Sequence, residues 1–238
     1  MPYISERLAQ ADMWKTATSW SSRVMLRGRG DFRATRLCQE HRPAWTLHRV
    51  YGDRLIFGTV REPVEWLCSY YDHLIIHGRV DLLAGHVEFS AFVEASCTPA
   101  GHWPGLGVRI EGGRQPDGPL WEWMVRYFYQ LPASDEWAVD VLVDAAQARQ
   151  GLAHLGLRSE LGRKNETSRA RVAKRPDLMT PALREMVYDA CGGLAGELGY
   201  TEPFKPAAQP LLRVDRVSHA SAPAPALEPV IGVRRHWR

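Results

Sequence analysis

The chain has 238 residues, 45% of them hydrophobic and 24% charged, a balance that fits a globular protein and excludes collagen-like and wholly disordered classes. Thirty Lys and Arg against 27 Asp and Glu leave a formal charge of +3, too slight to imply a nucleic-acid partner. No run of 18 apolar residues occurs and Met1–Arg7 has neither a basic nor an apolar leader region, so no membrane span and a cytoplasmic location are expected.

Four cysteines, Cys38, Cys68, Cys97 and Cys191, form no C-x-x-C pair. That argues against a zinc ribbon and for a reducing compartment, with the thiols expected as small buried hydrophobes. Only four of the 30 basic residues are lysine, so a lysine at a chemically meaningful spacing stands out.

In chain order, the first segment with chemical character is Trp14-Lys15-Thr16-Ala17-Thr18-Ser19-Trp20, leading into an amphipathic stretch from Ser21 to Leu26. A lysine, several hydroxyls and a helix start are the ingredients of a phosphate-binding turn. It is not a Walker A loop, which needs glycines where this chain has Ala9 and Trp14. Next comes His41, in Glu40-His41-Arg42-Pro43, with His48 a further imidazole. Arg54 to Val60 is a short apolar run of strand formers, broken by Arg61-Glu62-Pro63. From Val64 apolar residues recur at helical spacing, with Pro63 suited to the first helical position and Ser69 eight residues after Arg61. His73 and His77 are four apart on that helix, but lack the glutamate of an H-E-x-x-H metal site.

A helical pattern begins near Val87, and the Gly- and Pro-rich stretch from Thr98 to Pro119 reads as a long loop. A strand or helix follows at Trp121–Tyr129, then a strand at Ala138–Val143 and helices at Asp144–Leu155 and Pro181–Leu198. Between those helices lies the basic segment Leu161-Gly162-Arg163-Lys164-Asn165. Strand and helix alternate, which is the pattern of an α/β fold with a central parallel sheet flanked by helices. One domain over residues 1–201 is expected, with 202–238, rich in Pro and Ala, as a flexible tail.

Lys15-Thr16-Ala17-Thr18-Ser19-Trp20 resembles the Lys-[Ser/Thr]-Gly-Thr-Thr-Trp motif of the sulfotransferases, with Ala17 in the glycine position. Arg61 and Ser69 have the spacing and the strand-loop-helix setting of that family's second motif, and Arg163-Lys164 resembles its third. The resemblance covers roughly residues 13–200 and implies a P-loop nucleotide-kinase-like sulfotransferase fold. It implies that Lys15, Thr16, Ala17, Thr18 and Ser19 hold the 5′-phosphosulfate of 3′-phosphoadenosine 5′-phosphosulfate, and that Trp20 stacks on adenine. By the same resemblance Arg61, Ser69, Arg163 and Lys164 take the 3′-phosphate, Lys15 offsets leaving-group charge and His41 is the base, with His48 or Glu40 as substitutes. The implied reaction moves a sulfonate group to a hydroxyl or amine of a small-molecule or carbohydrate acceptor, without a metal. A catalytically eroded relative that binds nucleotide or a partner is the alternative. One departure stands out: the family's first motif follows a buried strand, whereas Glu6 to Trp14 has Arg7, Gln10 and Asp12 in place of a continuous apolar run.

Overall fold

Val60, Glu62 and Pro63 show how sequence sets this architecture, because a strand, a cap and a helix start occupy four consecutive positions. The computed structural model describes residues 3–11, 13, 16, 21, 24–25, 35–36, 42–79, 88–98, 118–157, 176–200 and 211–213. Strand β4 (Leu55–Val60) is buried along nearly its whole length, as expected of a central strand covered on both faces. Glu62 then caps helix α2 (Pro63–Ile76), its two carboxylate oxygens accepting from the Val64 and Glu65 N–H groups at 2.8 and 2.7 Å. The helix before this strand is α1 (Ala44–Tyr51).

Among the described residues six strands form one mixed sheet in the order β3-β1-β2-β4-β5-β6. Strands β2 (Leu8–Gln10), β4 and β5 (Val141–Asp144) run parallel, with Ala9 opposite Ile56 and Val60 opposite Asp144. The sheet is therefore parallel only at its centre. Strand β1 (Tyr3–Ile4) is tied to β2 by Ser5-Glu6-Arg7, and three residues can join only antiparallel neighbours. The Ser5 side chain closes that turn by accepting from Leu8 N–H at 3.0 Å. Strand β3 (Thr35–Arg36) adds antiparallel to β1 on one edge, and β6 (Leu211–Arg213) antiparallel to β5 on the other. Three residues past position 201 thus belong to the sheet.

Alternate residues of β1, β2, β4 and β5 enter two separate cores. Ile4, Ala9, Ile56, Val60 and Leu142 face the larger one, with α1, α2, α3 (Phe89–Cys97), α4 (Leu120–Tyr129) and α6 (Pro181–Glu197). Tyr3, Leu8, Phe57, Val141 and Val143 face the other, with Val24, Met25 and helix α5 (Ala148–His154). Segment 120–129, legible from pattern as strand or helix, is a helix. Its buried Trp121, Met124, Val125 and Phe128 follow the i, i+3, i+4, i+7 stripe. Strand β5 starts three residues later than its apolar run, because Ala138 N–H bonds to Tyr129 and Asp140 takes the Ile56 N–H on its side chain at 2.6 Å. The run after it opens with a 3-10 turn (Ala145–Gln147) before α5. Among the described cysteines Cys68 and Cys191 are buried, and Cys97 is half-buried rather than enclosed. No helix among the described residues is long and apolar enough to cross a membrane.

Gly58 lies where α4 crosses β4. A Cβ built there runs into the Tyr129 ring, while the Tyr129 hydroxyl donates to the Thr59 carbonyl, so neither partner can retreat without losing a buried bond. Gly58→Ala is expected to lower unfolding free energy by about 1–3 kcal/mol, read from urea denaturation. Unchanged stability would show that the α4 crossing is looser than this packing.

Candidate functional site

In open α/β sheets ligands bind beyond the carboxyl ends of the parallel strands, where loops leave the sheet together. Here β2, β4 and β5 deliver residues to that edge: Ala11 after β2, Arg61 with Glu62 after β4, and Asp144 at the end of β5. The first is anchored from within. Ala11 N–H extends the β2–β4 pairing by bonding to the Phe57 carbonyl at 2.8 Å. Gln10, fully buried, donates to Ser21 Oγ at 2.6 Å, tying Ser21 to the end of β2.

Thr16 completes this anchoring. Its hydroxyl donates to the Met13 carbonyl at 3.0 Å and meets Thr59 Oγ1 at 3.0 Å, with Tyr129 closing the cluster. Thr16 is thereby tied to β4 two residues before Arg61. A hydroxyl so enclosed fastens the segment and turns no open face to a ligand. The Arg61 backbone is held in turn by the Trp121 indole, which donates to its carbonyl at 2.9 Å.

Around Arg61 stand carboxylates. Glu62 is 6% exposed, and burial raises its carboxyl to about 7 against the opposing bonds from Glu65 and Val64 N–H; Glu65 adds to the rise and Arg184 opposes it. Asp144, at the end of β5, is 1% exposed. Burial pushes its carboxyl up; the Ala146 N–H and Tyr200 hydroxyl oppose that, Glu65 adds to it and the Arg61 guanidinium opposes it. Tyr200 reaches Asp144 because Gly199, two residues past the end of α6, has a φ of 78° that lets the chain turn back, and Tyr200 N–H bonds to the Ala195 carbonyl at 2.9 Å.

Of the residues singled out from sequence, Arg61 stands at the carboxyl end of β4 and Ser69 half-buried on α2. His48 is buried on α1 at 4% exposure, a position in which an imidazole has little access to a substrate proton. Lys15, Ala17, Thr18, Ser19, Trp20, Glu40, His41, Arg163 and Lys164 lie outside the described residues. The His73 and His77 rings lie tilted at 59° with centroids 4.4 Å apart, and among the described residues no group of three or more His, Cys, Asp or Glu forms a metal cluster. Sequence reasoning passed over Glu62, Asp144 and Tyr200. An acid closing the apolar run Val141-Leu142-Val143 was the available signal, since a polar residue at the carboxyl end of a buried strand is placed for ligand chemistry.

No protein-family model matches the chain, and no curated protein or solved structure matches it.

Glu62 makes stability fall as pH rises. The folded chain keeps this proton up to about pH 7, whereas the unfolded chain releases it near 4.5, so between those values the folded state binds more protons. Ionising Glu62 is expected to cost roughly 2–3 kcal/mol across that window. Glu62→Gln should flatten the decline in urea-measured stability between those pH values. Equal slopes in both proteins would show that Glu62 ionises at an ordinary carboxylate pH.

Proposed function

We propose that this chain is a sulfotransferase that uses 3′-phosphoadenosine 5′-phosphosulfate as sulfonate donor. One observation carries the reading: the Thr16–Thr59 contact ties Thr16, the second residue of the Lys15 motif, to β4 two residues before Arg61, although the two motifs begin 46 positions apart in sequence. The short strand β2 supports it, since it supplies the buried strand that Glu6 to Trp14 did not display as an apolar run. Gln10 is tolerated there because Ser21 accepts its donor.

In this reading Lys15, Thr18 and Ser19 bind the 5′-phosphosulfate, while Thr16 secures the segment from beneath. Arg61 and Ser69 bind the 3′-phosphate through charge-assisted hydrogen bonds, with Arg163 and Lys164 adding positive charge and Trp20 stacking on adenine. His41 takes the proton from the acceptor hydroxyl as that oxygen attacks sulfur. Lys15 stabilises the charge that develops on the phosphate oxygen as its bond to sulfur breaks. Acceptors are small molecules or carbohydrates. A second reading, an eroded relative that binds the nucleotide without turning it over, draws on Ala17 in the glycine position and on the enclosed Thr16 hydroxyl.

Adenosine 3′,5′-bisphosphate is expected to bind and, at 100 times its dissociation constant, to stabilise the fold by about 2.7 kcal/mol. Calorimetric silence together with an unmoved melting temperature would overturn the reading. Transfer of labelled sulfonate to a panel of hydroxyl and amine acceptors separates the enzyme from the eroded relative, which binds and transfers nothing.

Arg61→Ala is expected to weaken this ligand by about 1.5–3 kcal/mol and to leave adenosine 5′-phosphosulfate, which lacks the 3′-phosphate, little affected. Equal weakening of both ligands would place Arg61 at the other end of the nucleotide.

A further inference from the structure

Asp144 closes β5 directly beside the end of β4, with Val60 as its ladder partner, so its carboxyl and the Arg61 guanidinium share one stretch of sheet edge. The two carboxylate oxygens are unequal. Oδ1 accepts from the Ala146 N–H and from the Tyr200 hydroxyl, each at 3.1 Å. Oδ2 is buried and, among the described residues, has no hydrogen-bond partner. An ionised oxygen in that position depends on nearby positive charge, because among the described residues no donor compensates it.

The groups that act on this carboxyl come from every side. Arg61 reaches it from the end of β4, Glu65 from the first turn of α2 and Tyr200 from the turn after α6. Glu62 acts on Tyr200. Arg61 is the one cation among those groups. An anion that engages its guanidinium removes the charge that offsets Asp144 and adds a second negative charge beside it. Two like charges at one edge are relieved when the carboxylate takes a proton, and Oδ2 is the oxygen with room for one.

We propose that Asp144, steadied by Tyr200, is a proton-linked counter-charge to Arg61, so that a phosphate-class anion binding at Arg61 brings a proton onto Asp144. The proposal rests on the reading of Arg61 as an anion anchor. The coupling is reciprocal: protonating Asp144 tightens the anion as much as the anion favours the proton. Affinity therefore falls as pH rises through the range in which Asp144 ionises, by up to about tenfold per pH unit.

The test is calorimetric titration of the full chain with adenosine 3′,5′-bisphosphate between about pH 5.5 and 8.5, in paired buffers of different ionisation heat. Protonation of the ligand itself is common to wild type and variants and cancels in the comparison. Wild type is expected to take up as much as one more proton per ligand than Asp144→Asn. The variant's affinity should be nearly flat with pH and clearly tighter at the alkaline end. Tyr200→Phe keeps the carboxyl but loses a bond that favours its ionised form, so its affinity curve should move to higher pH with the same depth. Binding with identical proton uptake in wild type and Asp144→Asn overturns the coupling and leaves the Arg61 reading standing. A uniform loss of affinity in both variants at every pH, with no change in proton uptake, makes Asp144 purely structural and also overturns it. No binding by wild type removes the anion anchor and the coupling with it.

Discussion

Parallel pairing of β4 with β2 on one side and β5 on the other is the constraint from which the rest of this structure follows. Parallel neighbours send their carboxyl ends the same way, so the segments after Gln10, Val60 and Val143 leave the sheet at one edge although they lie far apart in the chain. Helices must then cover both faces, and the alternating residues of β1, β2, β4 and β5 feed two cores. Had β2 paired antiparallel with β4, the Lys15 segment and Arg61 would lie at opposite ends of the sheet. The short edge strands obey a different logic, since a three-residue turn between β1 and β2 leaves no length for a crossover.

At that edge burial and charge compete. Glu62 caps α2 with both oxygens, yet burial outweighs those two bonds and raises its carboxyl to about 7. Asp144 is pushed the same way, with Arg61 and Tyr200 opposing. The edge therefore combines a fixed cation with acids that change charge more readily than free carboxyls do. Such a combination suits reversible binding of an anion, because a carboxyl that can become neutral makes room for a phosphate without an unpaired buried charge. The Thr16, Thr59 and Tyr129 hydroxyls supply the rigid backing on which that electrostatic arrangement stands.

Much of the fold was legible because its central elements obey local rules. Leu55–Val60 is a dense run of strand formers ended by Arg-Glu-Pro, and Pro63 starts α2 where a first-position proline belongs. Strand β2 was hidden because only three residues pair, and one of them is Gln10, whose buried amide is satisfied by a serine 11 positions on. Pattern alone cannot see such a distant partner. Strand β6 was hidden for a similar reason, since Leu211-Leu212-Arg213 sits among prolines and alanines and gains its structure from the free edge of β5. Of the site, Arg61 was legible through its place after an apolar strand. Asp144 and Tyr200 were not, because their meeting depends on a helix end 56 residues away turning back onto the sheet.

The central claim is that the Lys15 segment and Arg61 form two ends of one nucleotide site at the β2–β4 edge. A crystal structure of the chain with adenosine 3′,5′-bisphosphate tests it most directly. The account predicts the 5′-phosphate against the segment between Met13 and Ser21 and the 3′-phosphate on the Arg61 guanidinium, with Asp144 beside it. A nucleotide seated on another part of the molecule, or one whose phosphates touch neither Lys15 nor Arg61, would contradict it.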